Sequence, residues 1–384
     1  LAAPLGLPCD TGDNLNRDED FLVTVQQHSL RRDHTAGGQG RAGGPAARRS
    51  GLPHLVLNFD INKTIMMSDA VASKGLDDVV NEVLADAAWG AEVRGQWRLV
   101  TPEPMVLRPR LAMGGKISSS SSSTSAGVDD TGCNDAFLES YAEWLERKVG
   151  KEKRMGLSAM FTHKGQPGEQ LQKHAAELRN KLRLPDGGDV TLIPAFFELL
   201  IWLKRNQRSF TLCFRSFGED MEPAVRTLNA FCEGRHPCYP DVRMDGSDGG
   251  TDYRLTLEDP ERFGTFHRDE GADCLVMGTF DQPGEGKYKA EVDRSVRFYA
   301  NSVPATRIVT GLEVVGQHLR AKLARPGTYA FRDYFQHWKA KGRDTMGGKL
   351  FFFDPGDLAQ HEIFFDDNIR YSARSIVQPV HMHD

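Results

Sequence analysis

One apolar run that ends in a carboxylate constrains this chain more than any other stretch. Leu55-Val56-Leu57 reads as a buried strand, and it runs through Asn58 and Phe59 into Asp60. In open α/β sheets, ligands bind at the carboxyl ends of the strands. An aspartate there can act as a covalent nucleophile toward phosphorus. The same residues also fit a plain strand followed by an Asx turn, with Asp60 capping backbone N–H groups.

Two later segments favour the chemical reading. Ser209-Phe210-Thr211-Leu212-Cys213-Phe214 is a second apolar strand ending at Arg215-Ser216. His361-Glu362-Ile363-Phe364-Phe365 is a third, ending in Asp366-Asp367-Asn368. Asn62 and Thr64 stand two and four residues after Asp60. These segments resemble, in order, the first, second and fourth motifs of the haloacid dehalogenase superfamily, whose phosphatases read DxDxT in the first motif. This chain has Asn62 where that pattern has its second Asp.

The resemblance implies an α/β three-layer sandwich with a mostly parallel, Rossmann-like sheet and cap-type insertions. It also implies a set of roles. Asp60 would be the nucleophile, and the Asn62 backbone carbonyl would help hold Mg2+. Thr64 would steady the loop, and Ser216 would hydrogen-bond the phosphoryl group. Asp366 and Asp367 would hold Mg2+, with the inner-sphere ligand left open. Adjacent carboxylates form the hard oxygen site that Mg2+ prefers. A lysine should pin the nucleophile and the phosphate charge. Lys349, at the start of the strand Leu350-Phe351-Phe352-Phe353, is the first choice, with Lys339 and Lys341 as alternatives.

Asn62 sets the limit on function. The Asp usual at that position protonates the leaving alkoxide and then activates water, and an amide does neither. General acid–base catalysis is worth about 10²–10⁴-fold. Three outcomes follow: substrates with good leaving groups such as acyl or aryl phosphates, a substitute acid or base such as His163, His267 or Asp69, or a weak or inactive relative that binds a phosphorylated ligand or partner. The expected activity is a Mg2+-dependent phosphohydrolase acting through an aspartyl-phosphate on a small phosphorylated metabolite.

Composition excludes some classes. With 48 basic and 53 acidic residues the net charge is −5, which gives no general case for nucleic acid or an anionic membrane. No run approaches the roughly 18 apolar residues of a bilayer span. The six cysteines are irregularly spaced, as expected of reduced thiols in a cytoplasmic compartment. Cys232, His236 and Cys238 lack a partner pair at zinc spacing. The chain starts at Leu1 rather than Met, so the expectation is that the true N-terminus lies upstream.

Residues 1–50 are rich in Gly, Ala and Arg and read as a disordered basic tail. Residues 51–384 read as a core with two insertions, 68–190 and 235–305. Within the first, 76–88, 137–149 and 169–182 have helical periodicity, 89–106 reads as short extended segments, and the serine run 118–125 reads as a flexible loop. A cap closing over a small substrate is the expected use of that insertion. The second, polar and Gly-rich with strand-like pieces at 264–267 and 274–280, is expected to be a β-rich flap. Core helices are expected over 192–204, 219–233 and 308–323, core strands over 349–354 and 362–366, and an edge strand over 375–380.

Overall fold

The computed structural model describes residues 52–67, 74–105, 108–109, 138–269, 272–303, 307–369 and 375–382. The expected basic tail, the serine run and Asp69 lie outside the described residues.

The first strand, β1 (His54–Asp60), is followed by α1 (Leu76–Ala87). Next come β2 (Trp89–Val93), β3 (Gln96–Leu99) and β4 (Glu139–Ser140), then α2 (Tyr141–Val149), α3 (Lys151–Ser158) and α4 (Gln172–Lys181). The chain returns through α5 (Pro194–Arg205), β5 (Phe210–Ser216) and α6 (Met221–Cys232). Then follow β6 (Phe263–Asp269), β7 (Ala272–Met277), α7 (Arg297–Ser302), β8 (Arg307–Thr310) and α8 (Leu312–Leu323). The last elements are β9 (Gly327–Arg332), α9 (Phe335–Ala340), β10 (Lys349–Phe353), β11 (Gln360–Phe365) and β12 (Val377–His381).

Seven strands form a mostly parallel sheet in the order β11-β1-β5-β9-β6-β7-β8. The three strands singled out from sequence are therefore neighbours, with β1 in parallel register between β11 and β5. Only β7 breaks the direction, pairing antiparallel to both β6 and β8. Parallel strands must be covered on both faces, and the burial obeys that rule. On one face Leu57, Phe59, Leu212 and Phe214 pack with residues of α5 and α6. On the other, Val56, Cys213 and Phe331 pack with residues of α8 and with Leu350 and Phe352 of β10. The result is a three-layer α/β arrangement. Pro194 opens α5 at the first helical turn, where a missing N–H costs nothing.

Expectations are corrected at three places and one strand is new. The expected helix 308–323 begins only at Leu312, because Arg307–Thr310 is strand β8, paired with β7. The stretch 235–305 is not a flap apart from the core, because β6 and β7 are members of the central sheet. The strand-like pieces at 264–267 and 274–280 fall on these two strands, whose side chains are largely buried. The strand at 349–353 leaves the central sheet and pairs in parallel with β12, so the expected edge strand edges a separate two-stranded layer. And β9, in the middle of the sheet, went unanticipated: Gly327-Thr328-Tyr329-Ala330-Phe331-Arg332 is buried throughout, yet its sequence has neither alternation nor a long apolar run.

The segment between β1 and α5 has its own core, with Val80 and Leu84 of α1, Trp97 of β3, Tyr141 and Leu145 of α2, Phe161 and Leu171. Tyr141 stacks on Phe161 at 4.7 Å. Ser140 caps α2 in a capping box with Glu143. Among the described residues, polar contacts join this module to the segment just after β1. Ile193 N–H donates to the Ile65 carbonyl at 2.9 Å, and Lys63, just after β1, pairs with Glu82 of α1 at 2.7 Å.

Candidate active site

Parallel register carries the carboxyl ends of β1 and β11 to the same edge of the sheet, since Phe59 is opposite Phe365. Asp60 and Asp366 are each the next residue along. Carboxylate oxygens of Asp60, Asp366 and Asp367 lie within 4.8 Å of one another. Asp60 is buried at 7 % exposure, whereas Asp367 is exposed as a residue.

Lys349 crosses this cluster. Its ammonium donates to Asp60 Oδ1 at 2.5 Å and to Asp366 Oδ2 at 2.8 Å, and the side chain is 1 % exposed. A buried ammonium needs such partners, because an isolated one would give up its charge. Lys339 and Lys341 are exposed, at the end of α9 and just beyond it. Thr64 closes the loop: its hydroxyl donates to Asp60 Oδ2 at 3.1 Å and accepts from the Asp367 N–H at 3.0 Å. Asp366 Oδ1 accepts the Asn368 N–H at 2.9 Å.

Charge crowding shows in the titration of the group. Desolvation raises the Asp60 carboxyl well above its usual range, Lys349 pulls it back, and Asp366 and Asp367 push it up again. Asp367 is pushed up to about 7, first by desolvation of its carboxyl and then by the Asp366 charge. Burial lowers the Lys349 pKa, but Asp366 and Asp60 more than offset that and leave it raised. With all three carboxylates ionised against one ammonium, the cluster would carry two negative charges. A hard divalent cation on those oxygens would neutralise them, so the donor set fits such an ion.

Asn62 lies in the tight turn after β1, half-buried, with its Oδ1 shielded and without a hydrogen-bond partner among the described residues. Ser216 ends β5, next to Arg215, which is opposite Asp60. Successive strand residues face opposite sides, so Ser216 turns away from the Arg215 side. Its hydroxyl donates to Asp220 Oδ1 at 2.5 Å and accepts from the Gly218 N–H at 2.9 Å, bracing the turn into α6. The two proposed substitute acids among the described residues do not join the cluster. His163 is an exposed turn residue, and His267 is fully buried in β6 between Tyr299 and Tyr334.

Sequence reasoning passed over one buried pair. The Arg215 guanidinium makes a two-pronged contact with Asp333, Nε to Oδ2 at 3.0 Å and Nη2 to Oδ1 at 2.5 Å. Arg215 Nη1 also donates to the Leu350 carbonyl at 2.9 Å. That last bond fixes β10 one residue from Lys349, so the pair positions the lysine across the carboxylates. The signal was an Arg directly after an apolar strand, where a charge demands a buried partner.

Among the described residues, no other cluster of His, Cys, Asp and Glu converges at metal-binding distance, the Cys232, His236 and Cys238 group included. Cys213, Cys232, Cys238 and Cys274 are free thiols. A surface cavity of about 620 Å³ lined by His54, Arg320, Asp357 and Gln360 opens at the opposite, amino ends of β1 and β11. Comparison with protein-family models, with curated proteins and with solved structures finds no match to this chain. No described helix is long and apolar enough to cross a membrane.

Proposed function

We propose that this protein is a phosphoryl-transfer enzyme of the haloacid dehalogenase type, a Mg2+-dependent phosphohydrolase that forms an aspartyl-phosphate on Asp60. The observation that carries the reading is Lys349 spanning Asp60 and Asp366 at the shared edge of β1 and β11. Phosphoryl transfer demands a nucleophile in line and neutralised phosphate oxygens. In this reading Asp60 attacks phosphorus, Lys349 balances the phosphate charge and keeps Asp60 aimed, and Thr64 holds the loop against the Asp367 backbone. Asp60, Asp366 and Asp367 would hold Mg2+, which supplies charge neutralisation at the phosphoryl oxygens. Ser216 has no part in this reading as it stands, its hydroxyl being committed to Asp220 and the Gly218 N–H.

The module between β1 and α5 is tethered by Lys63 and Glu82 next to the site and suits a cap over a small substrate. A second reading, a non-catalytic binder of a phosphorylated ligand, rests on Asn62 alone. Turnover of acyl, aryl and alkyl phosphates, measured with and without Mg2+, separates the two. Hydrolysis that requires Mg2+ and disappears in Asp60→Asn supports the enzyme. Binding of phosphate without turnover of any ester in the panel supports the binder.

A further inference from the structure

Beside the carboxylate cluster lies an aromatic shelf that phosphoryl transfer itself does not use. Phe217 directly follows Ser216, and its ring centroid is 5.2 Å from the Lys349 ammonium. Trp338 of α9 stacks on Phe217 with centroids 5.3 Å apart and planes 13° from parallel. Phe335, from the first turn of α9, meets Phe217 edge-on at 5.8 Å and Trp338 at 6.1 Å. All three residues are half-buried. Phe217 and Trp338 also pack against the buried group Phe364, Ile376 and Val377. Phe335 packs at the edges of that pair and lies outside the buried apolar clusters of the described residues.

The geometry points to a substrate class: small aryl phosphates, with the ring laid against Phe335 and the phosphate directed at Asp60 and Lys349. This inference rests on the phosphoryl-transfer reading above. Two separate features converge on it. The Phe217 ring lies under the ammonium that would meet the phosphate, and Phe335 stands at the edge of that ring. And the Asn62 amide is too weak an acid to protonate the ester oxygen, which favours a group that leaves as a stable anion. A phenolate, whose conjugate acid has a pKa of about 10 like tyrosine, leaves unaided where an alkoxide does not.

The step balances without a general acid. An Asp60 oxygen forms a bond to phosphorus, the aryl O–P bond breaks, and its electron pair departs with the phenolate. The phenolate takes a proton from water. A second water then cleaves the acyl phosphate, which returns the Asp60 carboxylate and releases inorganic phosphate and a proton.

The test uses phenylphosphonate and methylphosphonate, which cannot be hydrolysed, as calorimetric probes of the Mg2+-loaded protein. Their affinity ratio is read within each variant, so a general loss of folding removes both and leaves no ratio to misread. Aromatic contacts of this kind predict phenylphosphonate binding about tenfold tighter in wild type. The preference should persist in Phe335→Tyr and collapse in Phe335→Ala. Phe335→Leu, which keeps apolar bulk without a ring, should lose most of it and stands in if the alanine variant fails to fold. Equal affinities in wild type, or a preference that survives both ring deletions, overturn the aryl assignment. Acetyl phosphate hydrolysis by wild type and Asp60→Asn is measured alongside. A phenyl preference with no Asp60-dependent hydrolysis overturns phosphoryl transfer while the aryl site stands.

Discussion

Replacing Lys349 by methionine should cost the fold more than most core substitutions, with a pH signature that identifies the cause. Methionine fills similar volume and brings no charge. What it removes is an ammonium at 2.5 Å from Asp60 Oδ1 and 2.8 Å from Asp366 Oδ2. At an effective dielectric of about 20, one such pair is worth roughly 4 kcal/mol of attraction. Breaking a buried pair by deleting one partner typically costs about 3–5 kcal/mol. Protonation of the abandoned carboxylates limits that loss. Asp60 already titrates above its usual range, and without Lys349 it rises further. A carboxyl whose folded-state pKa exceeds its unfolded value penalises folding fully above the folded pKa. The penalty fades as pH falls toward the unfolded value of about 3.9. Urea unfolding of wild type and Lys349→Met should therefore show a gap of about 3 kcal/mol or more near pH 8 that narrows by about pH 5. Added Mg2+ should narrow it as well. A gap below about 1 kcal/mol near pH 8, or one that does not change with pH, refutes the view of Lys349 as the counter-charge of the site.

Other perturbations separate the remaining parts. Asn62→Asp supplies the missing proton donor and should raise turnover of alkyl phosphates about 10²-fold while changing aryl phosphates much less. A lower alkyl rate in the variant would show that another residue gives the proton. Asp366→Asn should weaken Mg2+ binding at least tenfold by calorimetry; unchanged affinity removes Asp366 from the metal site. Glu362, in β11, has its carboxyl pushed up to about 7 by desolvation, against the lowering pull of Gln360 and Arg320. Its folded pKa is raised, so wild type loses stability as pH rises from about 4.3 through about 7, and Glu362→Gln should be more stable by about 1–3 kcal/mol near pH 8 and no more stable near about pH 4. Thermal melts at the two pH values check this, and equal melting shifts would contradict it.

What could be read from the bare chain was whatever depends on one short segment at a time. The strands ending at Asp60, Ser216 and Asp366 carry dense apolar runs, and dense runs mark buried parallel strands whatever surrounds them. Helices α1, α5 and α6 were likewise visible because their apolar residues recur at helical spacing. Features set by distant partners were not visible. β9 is central because β5 and β6 flank it, and nothing in its small, mixed residues says so. Lys349 was one of three candidate lysines until the pairing of β10 with β12 and the Arg215 bond to Leu350 fixed its place. The Arg215–Asp333 pair joins residues 118 positions apart, which no local pattern records. The use of the Ser216 hydroxyl depends on the turn that follows it, through Gly218 and Asp220.

Trapping the covalent intermediate tests the proposed chemistry at its root. The protein is incubated with acetyl phosphate and Mg2+, quenched in acid, digested and examined by mass spectrometry. The expected result is one phosphorylated peptide, modified at Asp60, formed only with Mg2+ and absent from Asp60→Asn. Phosphate released from acetyl phosphate by wild type and Asp60→Asn at the same rate, or a phosphoryl group found on any residue other than Asp60, would contradict a nucleophile at the end of β1.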